Sequence, residues 1–66
     1  MSDVVSEYYS KDRHRYALVV VDKSDGVRYN VELFENTQFV RVVDCMGHSE
    51  HYAEDVAENW VMGVLN

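Results

Sequence analysis

The 66-residue sequence has no proline, one cysteine and three glycines, and no Lys or Arg follows Arg41. Each shortage excludes something. Without proline there is no polyproline segment and no proline-rich linker. A lone Cys45 forms no intrachain disulfide, the staple that small secreted domains ordinarily need, so a reducing, cytoplasmic setting is expected. No apolar run approaches the roughly 20 residues of a membrane-spanning helix, and the polar first fifteen residues hold no signal-peptide core. No glycine-rich phosphate loop or dinucleotide fingerprint is present. The length bounds the chain to one small domain with one core, too small for a large enzyme or a two-domain architecture.

Charge is also scarce on one side. Six Lys and Arg stand against twelve Asp and Glu, a formal net charge of −6. Residues 1–33 carry five cations and six acids, whereas residues 34–66 carry Arg41 against six acids. Nucleic-acid affinity comes mainly from cationic side chains displacing counterions, so this balance argues against direct binding of DNA or RNA. The same charge favours a basic partner, including a protein surface that normally holds nucleic acid.

Three segments of the remaining sequence read as strands. Residues 16–21, Tyr-Ala-Leu-Val-Val-Val, form a compact β-branched run, followed by Asp25-Gly26, a pair suited to a tight hairpin turn. Val27, Tyr29, Val31 and Leu33 alternate with Arg28, Asn30 and Glu32, the pattern of a half-buried antiparallel strand. Glu35-Asn36-Thr37 marks a second turn, and 38–44 a third strand. Leu18, Val20, Tyr29, Val31, Val40 and Val42 are expected on one sheet face, with Ala17, Val19, Val21, Phe34, Phe39 and Val43 largely on the other. Ser49 then caps a helix whose apolar stripe is Ala53, Val56, Ala57, Trp60 and Val64, with Val61 and Leu65 beside it. Tyr52 and Trp60 are expected as core anchors. Val4, Val5, Tyr8 and Tyr9 recur at helical spacing, so residues 1–15 read either as a short docked helix or as a mobile arm. Lys11 to Arg15 read as a solvated connector.

The expected fold is therefore α+β: a three-stranded antiparallel meander with a C-terminal helix packed on one face, as β-β-β-α or α-β-β-β-α. Residues 16–66 would form the domain and 1–15 its arm. One helix covers one face of such a sheet. The other is expected to be covered by the N-terminal cluster, by a second subunit, or by a partner. A homodimer is expected slightly ahead of a monomer.

Asp44, Glu50, Glu54, Asp55 and Glu58 are the candidate partner-binding residues, because the helix carries acids uncompensated by any cation. Glu54 and Glu58 repel each other at i, i+4. Cys45, His48 and His51 read as C-x2-H-x2-H, a weak zinc candidate with Glu54 as a fourth ligand; structural zinc sites usually draw ligand pairs from two segments. The alternative reading has Cys45 partly buried as a small apolar residue at a strand end, with both histidines at the solvated helix entry. No orienting carboxylate or oxyanion hole accompanies a Cys45/His48 or Cys45/His51 pair, so no catalytic residue and no cofactor are assigned.

In element order the chain is similar to a double-stranded-RNA-binding domain. His51-Tyr52-Ala53-Glu54-Asp55 stands where that family carries lysines, so the RNA-contacting residues do not carry over. The run from Val43 to Val64, a strand leading through Gly47 and Ser49 into an acidic helix, resembles the end of an HicB-type antitoxin domain. The whole chain resembles small acidic accessory proteins of bacteriophages, which bind and inhibit or redirect one host protein. That resemblance implies a noncatalytic protein-binding module acting in the host cytoplasm. The alternative is a self-associating, antitoxin-like regulatory subunit.

Overall fold

The computed structural model describes residues 2–24 and 26–63. Four strands, β1 (Ser2–Tyr9), β2 (Arg15–Asp22), β3 (Arg28–Glu35) and β4 (Gln38–Asp44), precede one helix, α1 (Glu50–Val61). The strands form an antiparallel meander in the order β1-β2-β3-β4. The class is α+β as expected, but the sheet has four strands, not three.

The additional strand lies in the segment read as a short helix or arm. Ser2–Tyr9 pairs with β2 from Tyr16 to Asp22, satisfying backbone groups that would otherwise form an open edge. A bulge at Val5 hides it from a periodicity reading. Val4 lies opposite Val20 and Ser6 opposite Val19, so Val5 is the unopposed residue and the alternation breaks there. The valines and tyrosines that mimic a helical face are also strong strand formers.

Three turns close the meander. Residues 11–14 are exposed, as expected of a solvated connector, but Arg15 already belongs to β2, and the turn is ordered by its own side chains. Ser10 Oγ donates to Asp12 Oδ1 at 2.8 Å, and His14 N–H donates to the same oxygen at 3.0 Å. These two bonds, the backbone one first, hold the Asp12 carboxyl below its ordinary range. Asp25 of the Asp25-Gly26 expectation lies outside the described residues, whereas Gly26 has the positive φ of 89° expected there. Asn36 and Thr37 form a two-residue loop with both φ values positive, the type I′ geometry that matches strand twist.

Ser49 caps α1, its Oγ accepting from Tyr52 N–H at 3.2 Å. The helix crosses β2 and β3, reaches β1 and makes no close approach to β4. Beneath it lie Ala17 and Val19 from β2, Val31 and Leu33 from β3, and Cys45 just past β4. The helix contributes Ala53, Ala57, Trp60 and Val61, and the two alanines let it sit close to the strands. Trp60 is a core anchor; Tyr52 is not, being 43% exposed and stacked on His48. Val64 and Leu65 lie outside the described residues.

Register redraws the expected division of the sheet faces. Val19 lies opposite Val31 and Val21 opposite Tyr29, so Tyr29 and Val31 share the helix-covered face with Ala17, Val19, Val21 and Val43. Leu18, Val20, Phe34, Phe39 and Val42 share the other. A second bulge, with Leu33 opposite Arg41 and Phe34 opposite Phe39, leaves Val40 unopposed and brings Phe39 and Val42 to one face.

Candidate functional site: the open face of the sheet

Cross-strand register arranges the helix-free face in rows. At one end stand Tyr9, Tyr16, Phe34 and Phe39, one aromatic from each strand. Tyr9 and Tyr16 stack at 5.5 Å between centroids, and Tyr16 and Phe34 at 4.6 Å with planes 5° apart. Phe39 meets Phe34 edge-on at 5.6 Å, turned 71° out of the stack. Such pairs add about 0.5–1.5 kcal/mol each beyond burial, so the ladder ties all four strands together. Its outer members are nonetheless open to solvent, Tyr9 at 50% and Phe39 at 57%.

The next row is Glu7, Leu18, Glu32 and Val42, and the third is Val4, Val20, Asn30 and Asp44. Val20 is buried between its neighbours, whereas Val4 and Val42 are about half exposed. The Tyr9 hydroxyl donates to Glu7 Oε1 at 3.2 Å, and that bond to the carboxylate raises the phenol's pKa. Among the described residues neither Glu7 nor Glu32 has a cationic partner; the ion pairs found are Arg15–Glu35 and His51–Asp55. At the ladder's β1 end, the Arg13 guanidinium sits 5.6 Å from the centre of the Tyr9 ring.

The five acidic residues expected to bind a partner are not brought together. Asp44 closes β4, shares the open face and accepts from Met46 N–H at 2.9 Å. Glu50, Glu54, Asp55 and Glu58 ride on α1, across the sheet from it. Glu54 is half-buried and accepts from Ser6 Oγ of β1 at 3.2 Å. Burial first, then the charges of Glu54 and Glu58, raises the Tyr8 pKa. His51 lies 3.7 Å from Asp55 in an exposed i, i+4 pair.

The zinc candidates do not converge either. The Cys45 thiol is fully buried and directed at the Val43 carbonyl at 3.8 Å, while His48 stacks on Tyr52 at 3.9 Å. Burial, then the neighbouring Asp44 charge, pushes the Cys45 thiol pKa up, away from the thiolate that metal binding requires. No group of three or more candidate ligands that could hold a metal ion occurs among the described residues.

An open depression lies where the 10–14 turn, the β3–β4 turn and the end of α1 meet. Its charged groups are engaged: Arg15 Nε pairs with Glu35 at 3.4 Å, and Arg15 Nη1 donates to the Trp60 carbonyl at 3.2 Å. The Arg15 guanidinium also lies 5.1 Å from the Trp60 ring centre. The last turn of α1 contains no basic residue. Arg15 supplies the cation there from a distant strand, a role that sequence spacing did not signal.

None of the described helices is long and apolar enough to cross a membrane. No known protein family, curated protein or solved structure matches the chain.

Proposed function

We propose that this chain is a noncatalytic protein-binding module, an inhibitor or modulator of a host protein of the kind small acidic bacteriophage proteins engage. One observation carries the reading: the sheet face opposite α1 leaves Val4 and Tyr9 of β1 and Phe39 and Val42 of β4 at least half exposed, on the two outer strands at either side of that face. A small domain with little stability to spare gains nothing in isolation from keeping such side chains in water. Set against a partner, they would form the desolvated centre of an interface, with carboxylates at its rim. The acidic stripe of α1 is a second contact region, suited to steering a basic partner at long range.

Affinity capture from a host lysate tests the proposal. The expected result is retention of one protein partner, weakened by Phe39→Ser with the fold intact by circular dichroism. Charge reversal at Glu54, Asp55 and Glu58 together is expected to slow capture and reduce its salt dependence. Turnover of a substrate by the isolated chain would overturn the proposal. So would light scattering that shows a tight homodimer whose interface is this face, favouring the self-associating alternative.

A further inference from the structure

We infer that the open face receives an arginine-bearing protein segment, with a guanidinium seated over Leu18 between Glu7 and Glu32 and the segment's apolar side chains lying along the aromatic ladder. The inference rests on the protein-binding reading above and names the surface and the chemistry of its partner.

Geometry provides the seat. Glu7 of β1 and Glu32 of β3 stand in one row on either side of Leu18. Their strands are two spacings apart, about 10 Å at the usual inter-strand distance. A cation centred over Leu18 would reach both carboxylates, and neither has a cationic partner among the described residues. The row is flanked by Tyr9, Tyr16 and Phe34 on one side and by Val20 on the other, so an arriving charge would be partly shielded from water, where a pair gains strength. The chain already performs the aromatic half of this recognition on itself, with Arg13 held over the outer ring of the ladder. Arginine is favoured over lysine because a planar guanidinium stacks on rings and bridges carboxylates in a fixed fork.

Charge argues against a second copy as the occupant. Self-stacking would bring Glu7, Glu32 and Asp44 of each protomer into one interface, against Arg13 and Arg28 as cations at opposite ends of that face. Four strands of about eight residues span roughly 19 by 27 Å, or ~500 Å² per protomer. A strand-like or helical segment of ten residues or so fits the same footprint without like-charge repulsion.

The test uses the full chain, isotope-labelled, titrated with a ten-residue Arg-Val repeat peptide and separately with a Glu-Val repeat. The expected result is amide shift changes confined to the open-face rows for the Arg-Val peptide, with none for Glu-Val. The double variant Glu7→Gln/Glu32→Gln is expected to weaken Arg-Val binding at least tenfold, as is raised salt. Glu54→Gln/Glu58→Gln is expected to leave it within twofold. Shift changes centred on α1, equal binding of both peptides, or self-association through this face would overturn the inference. A lysate partner released by the helix substitutions but retained by Glu7→Gln/Glu32→Gln and by Phe39→Ser would leave the protein-binding reading standing and remove this surface. Failure of both peptides to bind, with nothing captured from lysate, would remove both.

Discussion

Beneath α1, Ala17, Val19, Val31 and Leu33 are at most 1% exposed, while on the opposite face of the same sheet Tyr9, Phe39 and Val42 are at least half exposed. Both faces carry apolar side chains, and they belong to the same strands. The covered face carries small and aliphatic residues that accept a helix at close range. The open face carries rings stacked on one another, and its Glu7 and Glu32 carboxylates have no cationic partner among the described residues. Side-chain packing thus divides one sheet into a covered face that carries the core and an open face that carries the aromatic ladder.

The largest expected effect breaks this comparison from the covered side. Trp60→Ala should cost about 3–5 kcal/mol in urea unfolding, as for other large buried aromatics. Phe39→Ser on the open face should cost within about 1 kcal/mol, and equal losses would show that the two faces do not differ in kind. Next comes the Arg15→Met variant, which keeps the aliphatic stem but removes the guanidinium from the Trp60 carbonyl and from Glu35. A loss of about 1 kcal/mol, diminished by high salt, is expected because the group is partly exposed. Ser49→Ala should cost about 1 kcal/mol through the lost cap at the other helix end, with Ser49→Asp restoring most of it. The smallest effect concerns Asp12, in the turn that joins β1 to β2. Its folded carboxyl is held below the ordinary range, so its contribution is present at neutral pH and is lost as pH falls through that lowered value. Asp12→Asn should flatten the acid side of the stability–pH profile without altering binding to the open face, as checked by unfolding midpoints across the acid range.

Strands β2, β3 and β4, the cap at Ser49 and the burial of Trp60 and Cys45 were all legible, because each rests on local signals: period-two runs, turn residues, a capping serine. β1 was not, because a bulge at Val5 erases the alternation by which a strand is read. The aromatic ladder was hidden for a related reason. Tyr9, Tyr16, Phe34 and Phe39 have no regular spacing, and their alignment depends on two hairpin registers and the bulge at Val40. The acidic candidates show the converse error. Four of them sit on one helix, but Asp44 ends on the far side of the sheet and Glu54 leans onto Ser6.

By itself the amino-acid order determined the class of fold, the order of the strands it revealed, the helix and the charge that any partner must complement. Tertiary structure alone decided which side chains face water, that Arg15 would serve as the missing cation at the end of α1, and that Glu7 and Glu32 would flank Leu18. The reason is physical. Backbone preference acts over a few neighbouring residues, whereas a one-residue bulge reverses every subsequent side chain, and its consequences exist only once distant strands have paired.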